Sequence, residues 1–153
     1  MKPREHERAE PARRRGADCI VVSALIGVLV IAGCYWRYYP RVMETHLEVL
    51  ASYASKLESL AQAGRSVPPE RWGEFTYPLE RARDFARIAG KRFADRGSLD
   101  RFALVLDRYA ELLDELGRLG EPQAAEEVAR KRSALEQAIA ATRDALRRES
   151  AAA

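Results

Sequence analysis

Few side chains in this sequence could do chemistry, and their spacing limits what that chemistry could be. The chain of 153 residues has two histidines, His6 and His46, and two cysteines, Cys19 and Cys34. A zinc site needs several thiolates or imidazoles converging from one fold, and this set is too small and too scattered to supply them. Glu111, Asp114 and Glu115 share one face by helical spacing, but no Glu-x-x-His motif joins them. They therefore read as a solvated acidic face, not a metal site. His46 falls on an apolar stripe, where it reads as a seam residue or a proton-sensitive switch. Trp72, Phe75 and Tyr77 gather around Pro78. That cluster fits end-cap packing, or a pocket or partner patch. No acid, base and nucleophile set can be assembled from these residues, so the expectation is a protein that is not an enzyme and holds no cofactor or metal.

The cysteines lead to the stretch that organises the chain. From Cys19 to Trp36 the sequence reads CIVVSALIGVLVIAGCYW, without a charged side chain. At ~1.5 Å per residue such a helix reaches roughly 27 Å, near the lower limit for a bilayer core of about 30 Å. Tyr35, Trp36, Tyr38 and Tyr39 crowd its exit, where amphipathic rings favour the headgroup level. Residues 18–37 are thus expected to be a transmembrane anchor. Within them, Ile31-Ala32-Gly33-Cys34 resembles the lipobox of bacterial lipoproteins. The resemblance implies cleavage before Cys34 and lipid attached to its thiol. Against that stand a long leading segment with Glu5, Glu7, Glu10 and Asp18, and an aromatic cluster where a lipoprotein has a polar tether. The uncleaved anchor is the reading taken, with the lipoprotein as its alternative.

Orientation follows from the flanks. Lys2, Arg4, Arg8, Arg13, Arg14 and Arg15 precede the stretch, and only Arg37 and Arg41 closely follow it. The excess, centred on Arg13, Arg14 and Arg15, places the N-terminus in the cytoplasm and the C-terminal bulk outside it. Gly16-Ala17-Asp18 lacks the hydrophobic residues that would follow a twin-arginine export signal. Residues 1–17 are polar, carry Pro3 and Pro11, and read as a disordered basic tail. An isoelectric point near 9.0 would suggest an anionic partner, but the charge is divided. Residues 1–34 hold six Lys/Arg and four Asp/Glu, leaving 20 and 19 for the remainder. A nearly neutral exported part with interspersed signs excludes nucleic acid as the expected partner. With both cysteines in the anchor, that part must hold together by packing alone.

The elements that must position these residues are helical. Met43, Leu47, Leu50, Ala54, Leu57 and Ala61 recur at four and three after Pro40, and Gly64 ends the run. From about Glu70 to Ala94 the stripe is Trp72, Phe75, Leu79, Ala82, Ala86, Ala89 and Phe93. It passes through Pro78, which either kinks one helix or starts a second with Thr76 as cap. Gly97 and Ser98 read as a stop and an N-cap. From Leu99 to Leu119 the seam is Phe102, Val105, Tyr109, Leu112, Leu116 and Leu119. From Pro122 to Arg148 it is Ala125, Val128, Leu135, Ile139, Thr142 and Leu146, interrupted by Arg132. Glu127 and Lys131 stand at i,i+4, worth ~0.3 kcal/mol if paired, and the terminal Ser-Ala-Ala-Ala is expected to fray. No strand signal appears. The fold expected over residues 41–149 is an all-α, up-down-up-down four-helix bundle with coiled-coil-like seams, because short connectors make successive helices antiparallel.

The functional expectation is a single-pass membrane protein whose extracytoplasmic bundle acts as an interaction or scaffold module in a cell-envelope complex. Its partners would be the lipid bilayer and a protein whose identity the sequence leaves open. The alternative is a ligand-sensing ectodomain, or a lipoprotein of the same fold, that reports through a partner.

Overall fold

Apolar residues spaced by three and four fold here as helices that bury one stripe each. The computed structural model describes residues 38–65, 67–93, 96–116 and 124–152. The expected tail and the 18–37 stretch, with Arg13, Arg14, Arg15, Cys34, Tyr35 and Trp36, lie outside the described residues. Helix α1 covers residues 38–62. A single 3-10 turn, Pro69–Arg71, leads into α2, Trp72–Gly90. Helix α3 is Gly97–Leu116 and α4 is Ala124–Ala151. No strand occurs among the described residues.

In α1 the expected stripe of Met43, Leu47, Leu50, Ala54, Leu57 and Ala61 is buried. The helix ends where Gly64 takes a φ of 63°. The Gly64 amide donates to the Ala61 carbonyl at 3.0 Å and the Arg65 amide to the Leu60 carbonyl at 2.9 Å. That pair of bonds satisfies last-turn carbonyls, and it needs a left-handed residue at the turn, which glycine adopts without a Cβ clash.

Two expected helix boundaries, at Ser98 and Arg148, shift. Helical residues already include Tyr38 and Tyr39, so Pro40 lies within α1. Pro78 lies inside one continuous α2, so it starts no new helix, and Thr76 caps nothing: its hydroxyl donates back to the Trp72 and Gly73 carbonyls. Ser98 sits within the first turn of α3. Helix α4 runs through Ala151, three residues beyond the expected helix end at Arg148.

The side chains that meet across helices set their directions. Tyr39 near the start of α1 touches Phe85 and Phe93 towards and beyond the end of α2, while Tyr53 further along meets Phe75 near its start. Phe85 packs edge-on against Phe102, and Tyr109 reaches back to Phe75, so α3 reverses α2. Lys131 near the start of α4 meets Glu115 near the end of α3, and Glu149 near the end of α4 meets Ser98 at the start of α3. Each helix is therefore antiparallel to the next, and Arg143–Glu44 and Arg132–Glu58 pair α4 with α1. Tyr109, Phe102, Leu47, Leu50, Leu57, Leu112 and Leu135 are among the fully buried side chains. At roughly 1.5–3 kcal/mol for each large aliphatic or aromatic group removed from water, this core carries the fold.

Candidate functional site

A polar cluster lies at the bundle end that holds residues 38 and 39 of α1. It is built around Ser98, whose amide and hydroxyl donate to the two carboxylate oxygens of Glu149 at 2.8 and 2.7 Å. A helix start leaves its first amides without partners inside the helix, and its dipole favours an anion. Here the last turns of α4 supply that anion in place of a local cap. The Tyr39 hydroxyl lies 3.1 Å from the Ser98 hydroxyl. Arg96 approaches Glu149 at 3.5 Å and lies over the Tyr39 and Phe93 rings. Residues from α1, α3, α4 and the connector before α3 thus meet in one clasp. Burial pushes the Tyr39 phenol above its ordinary pKa, against a smaller lowering by the Ser98 hydrogen bond, so the hydroxyl stays protonated.

This placement divides the expected aromatic girdle. Tyr38 is 61% exposed, but Tyr39 is only 3% exposed and belongs to the core. Neighbours on a helix point about 100° apart, so the pair cannot share a destination. Tyr39 therefore does not stand at an exposed interface, and its ring is spent on Phe85 and Phe93.

His46 is one side of an aromatic cluster just above the clasp. Its ring centre is 5.1 Å from Phe85 and 6.3 Å from Phe102. Burial lowers its pKa, and the Arg81 charge lowers it further. It is half-buried.

The Trp72, Phe75, Tyr77 cluster is split in the same way as the girdle. Phe75 is buried, Trp72 is half-buried and Tyr77 points outward. The Phe75 carbonyl accepts the Tyr109 hydroxyl at 3.0 Å. It lies three residues before Pro78, and the carbonyl that the missing Pro78 amide leaves without a helical donor is that of Glu74. Desolvation raises the Tyr109 pKa, with a smaller contribution from Tyr53, which keeps the donor proton in place. The three aromatics thus do not form one surface.

The acidic run is also divided. Asp114 is exposed and Glu111 pairs with Arg108, but Glu115 is 8% exposed and bonds to Lys131 at 2.9 Å. The expected solvated face therefore loses Glu115 to the α3–α4 contact. Glu127 pairs with Arg130, and the Lys131 charge adds a smaller effect on it. No signal along one helix could have shown the Glu115–Lys131 contact, because the partner stands sixteen residues away on the next.

Between α1 and α4 runs an open groove of about 370 Å³, floored by Ala51, Ile139 and Ala140 and edged by Glu136, Arg143, Asp144 and Arg147. Two of its lining residues are ion-paired: Arg143 donates to Glu44 at 2.6 Å, and Glu136 pairs with Arg132, the seam interruption, which also binds Glu58. Among the described residues no cluster of three or more metal-ligating side chains occurs, and no helix is long and apolar enough to cross a membrane.

The described residues therefore define an all-helical bundle pinned by a polar clasp. No protein-family model, curated protein or solved structure matches the chain.

Proposed function

We propose that this protein is a membrane-tethered, extracytoplasmic helical bundle that serves as a non-catalytic docking module in a cell-envelope complex. The observation that carries the proposal is the clasp. Tyr39 stands three residues after Trp36, where the apolar stretch ends, and it is tied to Ser98 and through it to Glu149. A bundle in which Tyr39 of α1 is bonded to the third helix, and through it to the fourth, suits a rigid platform, since a displacement at Tyr39 is passed to the whole core. The mixed, mostly paired surface charges agree with a protein partner and not a polyanion.

A ligand-sensing role is the second reading, and the α1–α4 groove favours it. Its volume falls within the ~300–1,000 Å³ usual for small-molecule sites, with a lining that is mostly charged and has no aromatic side chain. A groove open along its length is better suited to a side chain or short segment of a partner than to an enclosed ligand.

Reporter fusions test the tethered reading. A reporter that matures only in the cytoplasm, fused after residue 153, should stay dark, and one active only outside it should light up. Neutral residues at Arg13, Arg14 and Arg15 should mix the two outcomes, because basic flanks set orientation. A bright cytoplasmic reporter on the unaltered chain sinks the proposal. Labelling with a fatty-acid analogue separates the anchors: label on the unaltered chain that Cys34→Ser abolishes makes it a lipoprotein.

A further inference from the structure

Charge is nearly balanced over the bundle, but it is divided between the two ends. The clasp gathers one end, because Tyr39 touches Phe93 and Ser98, and Ser98 touches Glu149. Among the described residues from Tyr39 onward, those within three positions of these four include seven basic side chains and two acidic ones. Arg41, Lys91, Arg92, Arg101, Arg147 and Arg148 are exposed, and Arg96 lies in the clasp. The acidic pair is Asp100 and Glu149, and Glu149 is already bound to Ser98 and Arg96. Asp144, just outside this set, approaches Arg147 at 3.6 Å, and the balance stays positive. The other end, where Lys131 meets Glu115, comprises residues 63–65, 67–75, 108–116 and 124–131. It holds five basic and seven acidic side chains. Ion pairs within it hold Arg71, Arg108, Arg130 and Lys131.

We propose that the clasp end of the bundle is a docking face for a bilayer surface rich in anionic lipid headgroups.

The arrangement of the charges selects a plane of headgroups over other anions. The exposed basic side chains come from α1, from the end of α2, from α3 and from α4, and they meet at one end. An extended anionic polymer is matched instead by a basic stripe along a side. The sides here carry both signs, as Glu136, Arg143, Asp144 and Arg147 do along α4. A flat surface touches the end alone, so the mixed sides do not oppose it. The sequence points the same way. Tyr39 follows Trp36, the last residue of the uncharged stretch, by three positions. A bilayer that holds the stretch is therefore met first by this end of the bundle. The inference deepens the tethered-module reading and rests on it. Each basic side chain near an anionic surface favours the docked state by about fivefold. The attraction fades beyond a Debye length, ~10 Å at 0.1 M salt, so it acts on this end and not on the far one. Because all four helices contribute, docking sets the tilt of the whole bundle and not of one helix.

The full chain reconstituted in vesicles tests this, with lysine acylation as the readout. Lys91 is the lysine of the basic end. The exposed Lys56, 4.4 Å from the centre of the Tyr53 ring, is the control in the other half of α1. An uncharged polyethylene-glycol ester that does not cross the bilayer reads only bundles on the outer face. With phosphatidylglycerol in the vesicles, Lys91 should react at least about fivefold more slowly than in phosphatidylcholine alone, while Lys56 keeps its rate. Salt at about 1 M, which shortens the Debye length to ~3 Å, should restore the Lys91 rate. Arg101→Gln with Arg148→Gln leaves Lys91 and the clasp in place, and should restore it too with helix content unchanged. Equal Lys91 rates in the two lipids, equal slowing of Lys56, or protection that survives salt or the double substitution overturns the proposal. Flotation of the same samples reports tethering separately. A chain that floats with Lys91 fully reactive fails this inference alone, and a chain that does not float fails the tethered reading and this inference with it.

Discussion

Single side chains here are assigned to roles by helix phase more than by residue type. Tyr38 and Tyr39 are chemically identical neighbours, yet one is exposed and one is core. The aromatic cluster after the apolar stretch was legible as a cluster, but its division was not, since that depends on which side of α1 the bundle covers. Ser98 was legible as a helix-start residue, whereas its partner Glu149 is 51 positions away. Replacing Glu149 by Gln keeps the shape and removes the charge. The loss of charge-assisted bonds should cost ~1–3 kcal/mol, reduced by the partial exposure of the carboxylate, and should speed amide exchange in the last turns of α4 first. Unchanged exchange there would dismiss the clasp. His46 gives a pH prediction with a definite sign. Burial depresses its pKa in the fold below the unfolded value of about 6.5. The unfolded chain then binds the proton more readily, so stability is full above about pH 6.5 and falls as the pH drops through the folded value. Thermal unfolding of the wild type should lose ground between pH 7 and mildly acid pH. His46→Leu should remove that part of the slope, and an identical slope in both would rule His46 out as its source.

At the scale of elements, the sequence was most informative where a stripe faces a single core. The four helices and their buried positions follow from three-four spacing, and Leu112 in the strictest seam is fully buried. What the pattern could not reveal is how charged residues bridge stripes. Arg132 interrupts its seam because it reaches Glu58 on α1, and Glu115 leaves its acidic neighbours for Lys131 on α4. Both pairings exist only once the helices are side by side. Pro78 likewise lies inside α2 with its ring buried, and the Tyr109 hydroxyl from α3 donates to the Phe75 carbonyl nearby, a contact that no pattern along α2 could show. Tyr109→Phe keeps the packing and deletes that donor. The expected loss is ~0.5–1.5 kcal/mol, measured by chemical denaturation. A neutral result would show that the carbonyl is served equally well by its own helix.

Across the whole molecule, the polar links are distributed so that no helix is peripheral. Helix α4 is fixed to α1 at Glu44–Arg143 and Glu58–Arg132, to α3 at Glu115–Lys131, and to the start of α3 at Ser98–Glu149. The aromatic rings tie α1, α2 and α3 to one another. Residues 39–153 form one compact unit, and a core shared this way should unfold in a single step. The sequence offers a direct probe. The chain has two tryptophans, Trp36 and Trp72, so a fragment spanning 39–153 keeps only Trp72, at the start of α2. Its fluorescence reports that end of the bundle, while far-ultraviolet circular dichroism averages all four helices. The two melting curves should coincide. Leu112→Ala deletes buried methyl groups from α3, away from Trp72 in sequence, and should cost about 2–4 kcal/mol. For a domain of roughly a hundred residues that lowers the midpoint by on the order of 10–20 °C, and equally by both probes if the core is one cooperative unit. A fluorescence transition that stays in place while the dichroism midpoint falls would mean that α2 and its tryptophan unfold separately from α3. The clasp and the ion pairs of α4 would then be local contacts, and a displacement at Tyr39 could not be passed through the bundle as a rigid body.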